Sequence, residues 1–196
     1  MAKEVMRVIG KSVPITEARD KVTGRSKFVD DMKAELCAKI LGSPHPHARI
    51  KSIDISRAKA LPGVEAVLTH KDVSNMLIPF RRYRPCYPID EHLRYVGDYV
   101  AAVAAINEAV AEEALDLIDV EYEVLPAVFD PEEAAKPTAP KIYPEGNICG
   151  PQDQPKIIEW GDIEKGFAEA DAVVEDHFDV TPQMHAAIEP HVCMAR

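Results

Sequence analysis

Proline decides where this chain can hold regular structure. Each proline withholds a backbone donor and fixes its own φ, so helices end before it and central strands exclude it. The 196 residues carry sixteen prolines. Those at positions 131, 137, 140, 144, 151 and 155 lie so close together that Asp130 to Pro155 reads as a linker draped over a surface.

Ahead of that stretch, single prolines and glycines divide the chain into short blocks. Glu35 to Leu41 is an apolar-rich run, and Gly42-Ser43-Pro44-His45-Pro46-His47 cannot extend it, so a loop follows a strand. Ala48 to Ile55 alternates, with Ile50, Ile53 and Ile55 as apolar members and one break in register. Ser56 suits the N-cap of a short helix to Ala60, Leu61-Pro62-Gly63 ends it, and Val64 to Leu68 is the next strand, with a helical turn opening at Thr69 or His70. Asn75 to Pro88, with Arg81, Arg82, Arg84, Tyr83 and Tyr87 among its prolines, reads as a solvated surface excursion. An anionic ligand or subunit contact is its functional alternative.

The strongest local pattern is a strand, helix, strand unit. Tyr99 to Ile106 is apolar on both faces, as a buried strand requires. Asn107 then stands as N-cap, and Ala111, Ala114, Leu115 and Ile118 recur at helical spacing with Glu108, Glu112 and Glu113 turned outward. Val120, Tyr122 and Val124 alternate with acids as a half-buried strand. Beyond the linker, Lys156 to Trp160 reads as a strand, Asp162 caps a helix containing Ile163, Gly166 and Phe167, and Asp171 to Val180 reads as another strand.

Charge and thiols remove several classes of function. Thirty-three acidic against 23 basic residues give a net charge of −10, which repels phosphate backbones, so no nucleic-acid partner is expected. The most apolar stretch, Val96 to Ile106, contains Asp98 and falls short of the roughly 20 residues a membrane span needs. Met1 to Gly10 lacks the continuous apolar core of a secretory signal, and the expectation is a cytoplasmic protein. Cys37, Cys86, Cys149 and Cys193 are far apart, with no Cys-x-x-Cys pair for zinc or an iron–sulfur cluster, and read as reduced thiols.

Two groups of residues invite a chemical reading. His45-Pro46-His47 places two imidazoles one residue apart, but the prolines account for it better as a fixed turn than as a metal site. His185, Glu189 and His191 share one face if the segment is a strand, which would suit a facial metal set or an acid–base pair; a structural or supporting use is the default. The adjacent acids Asp30-Asp31 and Glu112-Glu113 splay apart on either element and read as solvated faces. With no Gly-x-Gly-x-x-Gly, Walker or Gly-x-Ser-x-Gly motif, the residues alone yield a fold class and no mechanism.

Several motifs taken in order say more. Lys21-Val22-Thr23-Gly24-Arg25, Asp30-Asp31, Ser43-Pro44-His45-Pro46-His47-Ala48-Arg49-Ile50 and Ile53-Asp54 resemble the opening of the molybdenum-hydroxylase large subunit, the xanthine dehydrogenase and aldehyde oxidase family. Leu61-Pro62-Gly63-Val64, Val96-Gly97-Asp98, Val100 to Ala104 and Tyr122-Glu123-Val124-Leu125-Pro126-Ala127 are similar to that family's α/β-hammerhead domain. Asn147-Ile148, Gly161-Asp162, Gly166-Phe167 and Ala170-Asp171 resemble the connector after it, and His185 with Glu189-Pro190 the first strand of the cofactor-binding region. Tyr99 departs from the family pattern, which often has proline there. The glycine-rich segments and the late catalytic glutamate of the family have no counterpart before Arg196, so no catalytic residue and no metal ligand is assigned.

The resemblance implies an α+β fold, with an α/β-hammerhead domain of a mixed sheet and packed helices. The expected layout is an N-terminal extension at 1–18, the hammerhead at 19–130, the proline-rich linker at 131–155 and the beginning of a molybdopterin-binding domain at 156–196. His185 and Glu189 become candidates for supporting the cofactor at one remove. For the complete enzyme it implies hydroxylation with oxygen from water, or the reverse, on an aldehyde, an N-heterocycle or an aromatic acyl thioester. The molybdopterin-type cofactor, iron–sulfur clusters and possibly FAD would then sit on partner chains: the remaining molybdopterin-binding chain and the iron–sulfur and flavin subunits of an oligomer. This chain would be a structural part, inactive alone, as a split-gene subunit or a piece of a longer polypeptide. The alternative from another class is a stand-alone hammerhead module for binding or assembly, with Arg81 to Tyr87 as its contact; a small metal enzyme built on His185, Glu189 and His191 ranks last. Without further strands beside them, 172–180 and 185–194 would leave Val173, Val174, Ile188 and Val192 facing water, to pair with another chain or stay unordered.

Overall fold

The computed structural model describes residues 9–78, 86–149, 155, 157–189 and 191–195. They fall into two compact units: one takes the described residues up to Ala34 together with those from His177 onward, the other spans Glu35–Asp176. In the first, α1 is a short helix, Ala18–Val22, followed by a single 3-10 turn at Val29–Asp31. None of their residues is buried.

The second unit holds six strands: β1 (Cys37–Gly42), β2 (Ala48–Asp54), β3 (Val64–Thr69), β4 (His92–Leu93), β5 (Tyr99–Ala105) and β6 (Asp119–Val124). Helix α2 (Ser56–Ala60) precedes β3, α3 (Glu108–Asp116) lies between β5 and β6, and α4 (Pro131–Ala134) and α5 (Ile163–Glu169) follow. The strands form two three-stranded sheets in the orders β1-β5-β3 and β4-β2-β6. Helices and strands thus make the expected α+β class. Where a mixed sheet was expected, the pairings of both sheets are all antiparallel.

Small side chains on β5 explain how α3 reaches its sheet. Ala101, Val103 and Ala105 pack with Ala111, Ala114 and Ile118 in one core, joined by Ala58 and Val67. Alanines facing alanines let helix and sheet backbones approach closely. A second core joins Ala48, Ile50 and Leu93 of the β2 sheet to Val100 of β5, and Leu41, Ile53 and Val120 pack against both cores, so the two are continuous. The break expected in β2 is a register shift between Ile50 and Ser52.

Caps set the helix starts. Asn107, extended at φ −159°, accepts the Val110 amide at 2.9 Å on its Oδ1. Asp162 does the same for Lys165 at 3.0 Å. The N-cap of α2 is Ile55 rather than Ser56, because Asp54 Oδ1 takes the Ser56 amide at 2.9 Å and starts the helix one residue early. Loss of the Asn107 acceptor leaves an orphan N–H: Asn107→Ala is expected to cost about 1 kcal/mol and Asn107→Asp a few tenths, read from urea midpoints.

Thr69 and His70 open a turn rather than a helix, since Asp72 Oδ2 receives both the Thr69 amide, at 2.7 Å, and its hydroxyl, at 2.9 Å. Among its described residues the proline-rich stretch carries one helix, α4, capped by Asp130 with proline in its first turn. After it, Asn147 gathers the chain: its Nδ2 donates to the Ala134 and Pro140 carbonyls at 3.0 and 2.9 Å, and its Oδ1 accepts the Ile142 amide at 2.8 Å.

Residues 157–160 and Asp171 to Val180 form no strand, nor do the described residues of 185–194. Alternation supplies a face, but a strand also needs a ladder partner, and among the described residues none pairs with them. Val173, Val174 and Ile188 are exposed. Of the arginine and tyrosine excursion, positions 79–85 lie outside the described residues. The flanks meet in a bridge between Ile78 and Cys86.

Candidate functional site

Polar groups concentrate where the loop before β2 meets the turn before β5. Gly42 and Gly97 lie back to back there, and a Cβ on Gly42 would stand 3.1 Å from the Gly97 Cα. The Ser43 amide donates to the Asp98 carbonyl at 2.8 Å and the Gly97 amide to the Ser43 carbonyl at 2.7 Å. Ser43, buried, also donates its hydroxyl to the His45 carbonyl and accepts the His45 amide, at 2.9 and 3.1 Å. With prolines at 44 and 46, the loop is fixed at both ends and in its middle.

That loop sends its two histidines to different places. His45 meets the edge of the Tyr122 ring on β6. His47, 3% exposed, turns inward. Its Nδ1 donates to the Pro126 carbonyl at 2.6 Å, while its backbone carbonyl takes the Leu125 amide at 2.9 Å. Its Nε2 lies 2.7 Å from Nε2 of His92 on β4. A centroid separation of 4.9 Å with rings tilted by 25° means that the rings meet nearly end to end through those nitrogens, since each nitrogen lies about 1.1 Å from its ring centre. The pair of histidines one residue apart is therefore no shared metal site.

His92 belongs to an alternating row, Asp90, His92, Arg94. Arg94 Nη1 donates to Asp90 Oδ2 and to the His92 carbonyl, both at 2.8 Å, and its guanidinium lies 5.0 Å from the centre of the Tyr143 ring. The buried Arg94 Nε has no hydrogen-bond acceptor. Burial lowers the His92 pKa, helped by Arg94, His47 and Arg49 and opposed by Asp90. Burial raises that of Tyr122. Beside the row is a cleft of about 160 Å³ bordered by Cys86, Tyr87, Asp90, Arg94, Tyr99 and Tyr143. Neither His92 nor Arg94 stood out in the sequence, although the period of two across 90, 92 and 94 was a usable signal.

The other candidate residues do not converge. His185, Glu189 and His191 are exposed and lie outside any strand, and Ala186 at φ +48° interrupts the extended run that would have aligned them. Among the described residues no three His, Cys, Asp or Glu side chains are placed to hold a metal ion. A groove of about 400 Å³ between α5 and the segment after it is lined by Ile163, Phe167, Val173, Val174 and small residues. It offers no charged or polar side chain. A pterin with its phosphate needs several donors, so this groove does not fit a molybdopterin group, and no catalytic step is derived through one. Among the described residues no helix is long and apolar enough to cross a membrane.

Two antiparallel sheets sharing one core, with α3 on the alanine-rich strand, are the hammerhead arrangement. Residues 23–126 match the family model described as aldehyde oxidase and xanthine dehydrogenase, a/b hammerhead domain, and residues 148–196 match the molybdopterin cofactor-binding domain. The chain belongs to the aldehyde oxidase and xanthine dehydrogenase family. It is 40% identical over 177 residues to a probable xanthine dehydrogenase subunit of Bacillus subtilis strain 168, covering 88% of this chain and 23% of that protein. It is 37% identical to the nicotinate dehydrogenase large molybdopterin subunit of Eubacterium barkeri, covering 94% of this chain and 43% of the relative. The crystal structure of quinoline 2-oxidoreductase from Pseudomonas putida 86 superposes with a TM-score of 0.63 at 36% identity, covering 72% of this chain and 20% of that one. The chain thus spans less than half the length of each. It corresponds to the N-terminal region of a molybdenum-hydroxylase large subunit, and the family's cofactor in the complete enzyme is molybdopterin-based.

Proposed function

We propose that this chain is the hammerhead scaffold of a molybdenum-dependent hydroxylase or dehydrogenase and has no activity by itself. The observation that carries the reading is the continuous core of two antiparallel sheets, backed by α3, within the residues matched to the hammerhead domain. The reaction class is hydroxylation with water-derived oxygen, or its reverse, on an aldehyde, an N-heterocycle or an aromatic acyl thioester. Electrons would leave through iron–sulfur and possibly flavin partners.

In this reading residues 1–18 are an extension, 19–130 the hammerhead, 131–155 the connector and 156–196 the start of the molybdopterin-binding domain. His185 and Glu189 support the cofactor from one layer back; their place inside the matched stretch 148–196 favours this. Four free cysteines suit a cytoplasmic setting.

The test is purification alone and together with the products of neighbouring genes. The isolated 196 residues should hold no molybdenum and turn over neither aldehyde nor purine, and molybdenum should appear only in a complex with partner chains. Turnover by the isolated chain, or a stable metal-free complex with unrelated proteins, would count against the reading and favour an assembly module.

A further inference from the structure

Proline excludes helix and strand and so marks connectors, but it also leaves less to order. Four prolines, at 131, 137, 140 and 144, fix φ before the chain folds, so holding residues 131–149 in one path loses less entropy than holding an ordinary loop of that length. The stretch is held at two places. Within it, the Asn147 side chain uses both amide hydrogens and its oxygen, on the Ala134 and Pro140 carbonyls and the Ile142 amide, and so ties residues thirteen positions apart into one compact loop. The Gly146 amide closes its last bend on the Tyr143 carbonyl at 3.0 Å.

The second hold is on β4. The Tyr143 ring centre lies 5.0 Å from the Arg94 guanidinium, inside the range over which an aromatic face attracts a cation. Arg94 is itself pinned at both ends. Its amide donates to Asp98 Oδ2 at 2.9 Å, and its Nη1 donates to Asp90 and to the His92 carbonyl. Its side chain is only 16% exposed, and the preceding residue, Leu93, is fully buried in the smaller core. The guanidinium is therefore a fixed plate, and Tyr143 is what rests on it.

We propose that residues 131–149 are a clamped strap and not a tether, with the Asn147 knot setting its shape and Arg94 acting through Tyr143 as its catch. The strap brings the chain to one fixed place at Cys149. A partner that binds the residues beyond it then finds the connector already ordered and loses no affinity to ordering it. Arg94 is a positioning residue in this arrangement, and β4, the shortest strand, is the element that sets where the chain continues.

Trypsin reports the strap, because Lys141 is exposed and the amide after it, that of Ile142, is bonded to Asn147. In the 196-residue chain, cleavage after Lys141 should be slow, and about tenfold or more faster in Asn147→Ala and in Tyr143→Ala. Tyr143→Phe keeps the ring on the guanidinium and should cut as slowly as the unaltered chain. Arg94→Met should speed cleavage as Tyr143→Ala does, and the two together should be no faster than either alone, since one contact is lost in all three. The Ile106 amide, bonded to the Gly63 carbonyl on the other sheet, should keep its hydrogen-exchange protection in every variant. If Arg94→Met does not fold, the Tyr143→Phe and Tyr143→Ala pair decides the matter. Four results would overturn the proposal: an unaltered chain cut as fast as Tyr143→Ala, the same gain in Tyr143→Phe, a double variant faster than both singles, or loss of Ile106 protection alongside the Lys141 cut. None of them bears on whether the isolated chain holds molybdenum or turns over a substrate.

Discussion

Leu93→Ala is expected to destabilise the unit spanning residues 35–176 by about 3 kcal/mol, read as a lowered urea midpoint with little change in slope. Leu93 is the largest fully buried side chain of the smaller core, where its fellows are Ala48, Ile50 and Val100. Truncation removes its transfer energy and leaves a cavity. Strand β4 is only two residues long, paired through Ala48 with Leu93 and Arg49 with His92, so the backbone has few other contacts with which to collapse inward. Val100→Ala, in the same cluster but on a seven-residue strand bonded on both sides, should cost less, about 1.5 kcal/mol. A Leu93 loss no larger than that of Val100 would mean that the β4 edge relaxes around the gap.

Gly63→Val should cost a similar amount, about 3 kcal/mol, for a different reason. Gly63 sits at φ +93°, where β-branched residues are outliers, and its carbonyl holds the Ile106 amide at 2.9 Å. A Cβ there would lie 2.8 Å from Ile106 Cδ1 and 3.5 Å from Val110 Cγ1. Ile106 is 54% exposed and can swing aside, so most of the cost is backbone strain. Gly63→Asn, which tolerates positive φ, should therefore recover much of the loss in the same denaturation series. If asparagine and valine were equally damaging, collision with Ile106 and Val110 would outweigh the strain.

Elements whose signal is local were readable in the sequence. Asn107 and Asp162 cap the helices assigned to them because an N-cap acts within three residues. The all-apolar run of β5 and the alternation of β6 were equally plain. Segment 171–180 shows the limit: its alternation is as good as that of β6, yet β6 has β2 beside it and, among the described residues, 171–180 has no strand beside it. The displaced cap of α2 turned on the competing carboxylate of Asp54.

The family was legible from motif order, while the polar site was only half so. His45 and His47 drew notice as neighbours in sequence. The partner that gives His47 its environment is His92, and the acceptor that fixes its tautomer is a backbone carbonyl on Pro126. No side-chain pattern encodes a carbonyl acceptor.

Strand order carries a last consequence. The first, third and fifth strands make one sheet and the second, fourth and sixth the other, so no strand bonds to the one that precedes or follows it. Cys37 and Val64 both wait for Ala105, and Ala48 waits for Leu93 and then Val124. Among these six strands no consecutive pair forms a hairpin to nucleate early, and each pairing closes a long loop before it is rewarded. During synthesis β1 and β3 emerge ahead of β5, and β2 ahead of β4 and β6, so their apolar sides stay bare until those later strands are translated, which makes this region slow to fold.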